Sequence, residues 1–256
     1  MTEKRLTRKQ RRIQQNNNQQ GRTNEDNQLK INFQLKRIEP LTDNQRLTFE
    51  YYEQGRNLLL HGSAGTGKSF LSIYLSLTSI LAEQSRYKKL IIVRSTVPAR
   101  DQGFLPGNNK EKAKVYEAPY YAIFTELFGR GDAYEYLKTK NVVDFISTSF
   151  VRGITLNDSI IVVDEMQNMD WGELCSIITR VGKNCKVLFC GDFKQSDFRF
   201  KEKESKDDIN KFMRVLKNMK NDFEFVDFKI EDIVRSKMVK NFLISVENLG
   251  YNATGI

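Results

Sequence analysis

The sequence predicts an α/β fold, a doubly wound domain with helices on both faces of a parallel sheet. Three observations carry this expectation. Six short apolar runs recur along the chain, several almost unbroken, as strands covered on both faces require. Segments of helical period lie between them. The first run also breaks into a glycine-rich turn ahead of a helix, at the strand end where such sheets hold ligands.

Taken in order, residues 1–30 are the exception to this pattern. The stretch "MTEKRLTRKQRRIQQNNNQQGRTNEDNQ" has almost no large apolar side chains and includes a glutamine/asparagine tract, so it is predicted to be a disordered arm. It is also basic. Residues 1–22 carry seven Lys or Arg against Glu3 alone, a net +6 of the chain's +9. Arg8, Arg11 and Arg12 are therefore candidates for contact with nucleic-acid phosphates, against the plainer reading of a solubilising tail.

From about residue 31 the chain reads as globular. The predicted strands are "NLLLH" (57–61), "KLIIVR" (89–94), "VVDFIS" (142–147), "SIIVVDE" (159–165), "KVLFCGD" (186–192) and "FEFVDF" (223–228). Helical patterns fall near 68–85, 171–181, 205–220 and 232–248. Residues 103–140 are too long for a simple crossover and predict a small inserted helical subdomain, the rest of 31–256 forming one domain. Its aromatics Tyr116, Tyr120, Tyr121 and Phe124 suit either a core or a stacking platform for bases.

Composition excludes several classes. No run of about 18 apolar residues is present, so no membrane span is expected. Three cysteines without paired spacing, together with a polar N-terminus, point to reduced thiols and a cytoplasmic location. One histidine cannot build a multi-histidine zinc site.

The glycine break carries the chemistry. Gly62, Ser63, Ala64, Gly65, Thr66, Gly67, Lys68 and Ser69 match glycine, four residues, then Gly-Lys-Ser. Glycines let backbone N–H groups converge on a phosphate, and the following helix adds its positive end. Lys68 is placed to reach the outer phosphates and Ser69 to offer a hydroxyl to Mg²⁺. The apolar run ending in Asp164-Glu165 supplies the complement: Asp164 to hold Mg²⁺, and Glu165 to polarise an attacking water. Gln195, after the strand ending "CGD", is a candidate sensor of the terminal phosphate.

Eight blocks occur in a familiar order: "PLTDNQ", "GSAGTGKS", "IVRSTVPA", "GFLPG", "VRGITL", "IIVVDEMQN", "GDFKQSD" and "DIVRSKMV". Over roughly residues 38–248 the chain resembles the PhoH-like family, the phosphate-starvation-inducible type ATPases related to superfamily 1 helicases. The resemblance implies one RecA-like P-loop NTPase domain that binds ATP with Mg²⁺ and hydrolyses it, with a link to single-stranded nucleic acid, RNA before DNA. It implies that Gln45 reads the adenine edge and that Arg94 faces nucleic acid, although Arg94 suits an ion pair equally well; Arg152 is expected to orient the loop before the acidic strand, or else to touch nucleic acid. Arg235 resembles an arginine finger; its alternative is a surface pair with Asp232. A single such domain implies a missing wall, hence a homo-oligomer, a hexameric ring being one form, with Arg235 acting across the interface. An ATPase switch working on a protein partner is the competing function. Met166 departs from the family's alanine and is expected to be tolerated.

Overall fold

The structure is a computed structural model that describes residues 33–96, 109–192 and 202–249, all but Phe33 within the unit Gln34–Ile256. Arg8, Arg11, Arg12 and Gln195 lie outside the described residues, as do Val97–Ala99 and the "GFLPG" block.

Six strands form one sheet: β1 (Asn57–Gly62), β2 (Lys89–Arg94), β3 (Val143–Ser147), β4 (Ser159–Asp164), β5 (Lys186–Gly191) and β6 (Phe223–Phe228). Their order is β3-β2-β4-β5-β1-β6 and every pairing is parallel, so all strand ends reach the same edge. The predicted strands are all present. Their continuous apolar character has a direct cause in the pleat. Leu59, Ile91, Val93, Ile161, Val163, Val187 and Phe189 join one buried cluster with Met166, Leu174, Ile177, Phe212 and Leu216. Intervening residues such as Leu58, Leu60, Leu90, Ile92, Val162 and Leu188 have no exposed surface on the opposite face. Alternation is lost because both faces are covered.

Eight helices are described: α1 (Asp43–Glu53), α2 (Lys68–Ile80), α3 (Asn109–Phe128), α4 (Ala133–Thr139), α5 (Thr148–Val151), α6 (Trp171–Ile178), α7 (Glu202–Asn218) and α8 (Lys237–Asn248). Asp170 starts α6 with a capping box shared with Glu173. Trp171 then packs edge-on against Phe212 of α7, with ring centroids 6.4 Å apart. Sequence reading did not single out α1. Its signal is Thr42, whose hydroxyl accepts from Gln45 N–H at 3.3 Å.

Between β2 and β3, α3 and α4 make the helical insertion. Tyr134 and Lys138 of α4 both donate to buried Glu117 of α3, at 2.8 and 2.5 Å. Tyr120 and Phe124 have no exposed surface, which settles these two as core.

One cation is buried far from any of this. Lys186 is 4% exposed at the start of β5, with Nζ donating to Tyr52 O at 2.7 Å and lying 3.9 Å from the centre of the Tyr52 ring. Burial, and then Arg86, lower its pKa to about 8 from 10.5. Between those values the unfolded chain binds more protons than the folded one, so stability rises with pH across that window. Lys186→Met is expected to flatten the rise and to increase the thermal midpoint at pH 7, since the Tyr52 carbonyl keeps the Gly55 N–H. Thermal melts of both proteins at pH 7 and pH 10 check this; parallel pH profiles would refute it.

Candidate functional site

The site is built where β1, β4 and β5 end. Gly62 closes β1 at φ 112° beside its β6 partner Phe228. A Cβ there would lie 1.9 Å from Phe228 O, so no side chain fits without displacing β6. Ser63 N–H donates to the same Phe228 oxygen at 2.9 Å, starting the turn. The loop ends at Gly67, in the left-handed region, and α2 begins at Lys68 with its N–H groups facing the concavity. Lys68 Nζ curls under the loop, donating to Gly62 O at 2.8 Å and Ser63 O at 2.7 Å. Burial lowers its pKa, opposed by the carboxylates of Asp192, Glu165 and Asp164.

Although β5 separates β4 from β1, Ser69 on α2 spans the gap. Its hydroxyl donates to Asp164 Oδ1 at 2.5 Å. Asp164 is buried, and its other oxygen accepts from Tyr120 OH at 2.8 Å. Glu165 follows with φ 53°. A left-handed non-glycine residue is costly, and such strain gathers at functional positions. Burial, then the neighbouring Asp164 charge, raise the Glu165 pKa, opposed by Arg94, the Gln167 bond and Lys68.

Sequence reasoning missed Gln167. Its amide donates to Glu165 Oε2 and its oxygen accepts from Asp192 N–H at 3.0 Å, joining the acidic strand tip to the tip of β5. The signal available was an amide side chain two residues past Glu165 in "DEMQN". Met166 is accommodated for a specific reason. Its Cγ lies 2.6 Å from where a Cβ on Gly191 would stand, so the larger side chain uses the space left by glycine.

Gln45 reaches the loop from α1. Its Nε2 donates to Thr66 O at 3.1 Å while its Oε1 accepts from Leu41 N–H at 2.8 Å. The amide is buried and latches the loop to α1.

Two arginines lie beside these groups. Arg94, paired in register with Asp164, hydrogen-bonds Tyr120 and interacts with Asp164 and Glu165; these outweigh burial and raise its pKa. Of its two sequence readings, the ion-pair one matches this geometry. Arg235 lies on the phosphate loop of its own chain. Val234 N–H donates to Gly65 O at 3.1 Å, and Arg235 Cγ is 3.0 Å from a Cβ built on Gly65. It comes to this loop because β6 pairs directly with β1 and returns the chain there. Asp232 is engaged elsewhere, accepting from Asn44 Nδ2 at 2.7 Å and Lys229 N–H at 2.9 Å. Arg152 is exposed, its Nη2 lying 3.8 Å from a Cβ built on Gly172 at the start of α6.

Ser69 and Asp164 present a hydroxyl and a carboxylate oxygen side by side. Hard oxygen donors in that number suit Mg²⁺, which takes one or two protein ligands and completes its shell with phosphate and water.

Sequence comparison with known proteins agrees with this arrangement. A family profile described as "PhoH: PhoH-like protein" matches residues 37–247. A PhoH-like protein of Bacillus subtilis (strain 168) is 29% identical over 183 residues, covering 71% of this chain and 55% of that protein. One of Mycobacterium leprae (strain TN) is 31% identical over 163 residues, covering 63% and 46%. The chain thus spans about half the length of these relatives. Among solved structures, Pif1 helicase from Candida albicans aligns with a TM-score of 0.39 at 17% identity, over 83% of this chain and 44% of that one. The large terminase of a thermophilic bacteriophage, in complex with ADP, aligns with a TM-score of 0.44 at 12% identity, over 80% and 49%. With the profile covering all but the ends of the described fold, the chain belongs to the PhoH-like protein family.

Proposed function

We propose that the chain binds ATP with Mg²⁺, hydrolyses it, and couples hydrolysis to single-stranded nucleic acid, RNA in preference to DNA, in a helicase-like manner. The observation that carries the reading is the convergence of Lys68 and Ser69, which open α2, with Asp164 and Glu165, at the end of β4, on one glycine-lined turn.

The loop amides and Lys68 hold the triphosphate, Lys68 exchanging its bonds to Gly62 O and Ser63 O for phosphate oxygens. Ser69 and Asp164 would hold Mg²⁺, which neutralises charge on the outer phosphates. Glu165 orients a water for attack and accepts its proton, held in place by Gln167. Arg235, over Gly65, stabilises the charge that builds on the transferring phosphoryl group, acting within its own chain. A hexameric ring would then serve to wrap a strand rather than to complete each ATP site. The nucleic-acid part of the proposal is supported by the family resemblance of "RSTVPA" and by the concentration of positive charge in residues 1–22.

The test is ATP turnover of the full chain with and without single-stranded RNA and DNA. Stimulation of several-fold, larger with RNA and falling steeply with added salt, is expected. A rate indifferent to every polynucleotide would replace this reading with a switch acting on a protein partner.

A further inference from the structure

We infer that Tyr120 is a positioning residue of the nucleotide site: its hydroxyl fixes the orientation of the Asp164 carboxylate and keeps that carboxylate available to Mg²⁺. The inference rests on the ATP and Mg²⁺ reading above and extends it to a residue of the inserted helix.

Tyr120 comes from α3, outside the phosphate loop and the acidic strand, yet it reaches the centre of the site. The ring is wholly buried, 5.9 Å from the Phe145 ring of β3. Phenylalanine would fill that space equally well. A buried hydroxyl is costly unless it is bonded, so its reason lies in its partners. It donates to Asp164 Oδ2 at 2.8 Å and also shares a hydrogen bond with Arg94. The order is therefore guanidinium, phenol, carboxylate, with Ser69 on the far oxygen.

Two consequences follow from this order. The terminal torsion of an aspartate is soft, and one bond from Ser69 leaves it free to swing. A second bond on the other oxygen removes that freedom and holds Oδ1 toward Ser69. The phenol also stands between a permanent cation and the acid. Arg94 and Asp164 are register partners on adjacent parallel strands, near enough for direct pairing if the phenol were absent. A carboxylate claimed by Arg94 in a bidentate pair would be a poorer ligand for a metal ion. Outer-shell partners of this kind typically change metal affinity 10- to 100-fold.

The placement on α3 gives Tyr120 a fixed base. Pro119 precedes it and breaks the helical ladder, having no N–H to donate. From Tyr120 onward, Phe124, Leu127 and Phe128 are buried, and Phe124 packs edge-on against Tyr134 of α4 at 5.1 Å. Together with Glu117, held one turn earlier by Tyr134 and Lys138, these contacts fix the helix on both sides of Tyr120.

The experiment titrates Mg²⁺ into the full chain with a fluorescent ATP analogue, reading retained nucleotide, for wild type, Tyr120→Phe and Tyr120→Leu, with thermal melts alongside. The expected result is a 10- to 100-fold rise in half-saturating Mg²⁺ for Tyr120→Phe, with nucleotide affinity in excess chelator unchanged and the thermal midpoint close to wild type. A shift confined to Tyr120→Leu would assign the effect to packing and overturn the inference. Failure of Tyr120→Phe to fold would overturn it too, making the hydroxyl a determinant of the fold. Wild-type retention with equal Mg²⁺ demand in Tyr120→Phe would sink this inference alone. A folded wild type that retains no nucleotide at any Mg²⁺ would sink the ATP reading and this inference with it.

Discussion

Arg235→Ala is expected to lower ATP turnover by about 10³- to 10⁵-fold, the range for arginines that stabilise a transferring phosphoryl group. Nucleotide binding should fall far less, because the loop amides and Lys68 do not depend on it. The geometry behind this is the short segment after β6. The 3₁₀ turn Ile230–Asp232 is pinned by Asn44 and by the Lys229 N–H, and Val234 N–H then bonds Gly65 O. Arg235 is consequently laid across the loop by backbone bonds, with its charged end exposed beside the site. Lysine at this position should recover little, since it presents a point charge in place of a planar fork. Mixing Arg235→Ala chains with Lys68→Ala chains separates the two possible geometries. Action within one chain predicts no recovery of turnover in the mixture. Recovery would show that Arg235 serves a neighbouring subunit, as the sequence alone had suggested.

Glu165→Gln is expected to reduce turnover by about 10²- to 10⁴-fold, the usual worth of a positioned general base. The substitution keeps shape but cannot accept a proton. ATP should remain bound, so single-turnover mixing would show normal association followed by slow product formation. Gln167 is tied to both Glu165 and Asp192, which predicts that its removal loosens the same base without removing it. A Glu165→Gln enzyme with wild-type single-turnover rates would assign the water-polarising role to another group.

Much of this fold was legible because its signals are local. Apolar runs of four to six residues mark strands buried on both faces, and the glycine spacing from Gly62 to Ser69 marks the loop between β1 and α2. Asp164 and Glu165 were legible for the same reason, as acids ending an apolar run. What escaped was set by strand order. Nothing near Arg235 reports that β6 lies beside β1, and that adjacency alone places the arginine over Gly65. Tyr120 could be read as a core aromatic from its surroundings in the chain. The reach of its hydroxyl to Asp164, 44 residues further along the chain, is a tertiary fact with no local mark. Arg94 shows the same limit: a basic residue after a strand suits nucleic acid or an ion pair, and only the register with Asp164 separates them. Helix α1 was the avoidable miss, since Thr42 and Gln45 stand at cap spacing.

The phosphate loop ties these parts together, and its occupancy is directly measurable. Calorimetric titration of ATP with Mg²⁺ into the folded full chain should give saturable one-site binding that Lys68→Ala abolishes, with Pᵢ released on incubation of the wild type. A folded wild-type chain that binds no adenine nucleotide, or that releases Pᵢ as fast with Lys68→Ala as without it, would contradict the account.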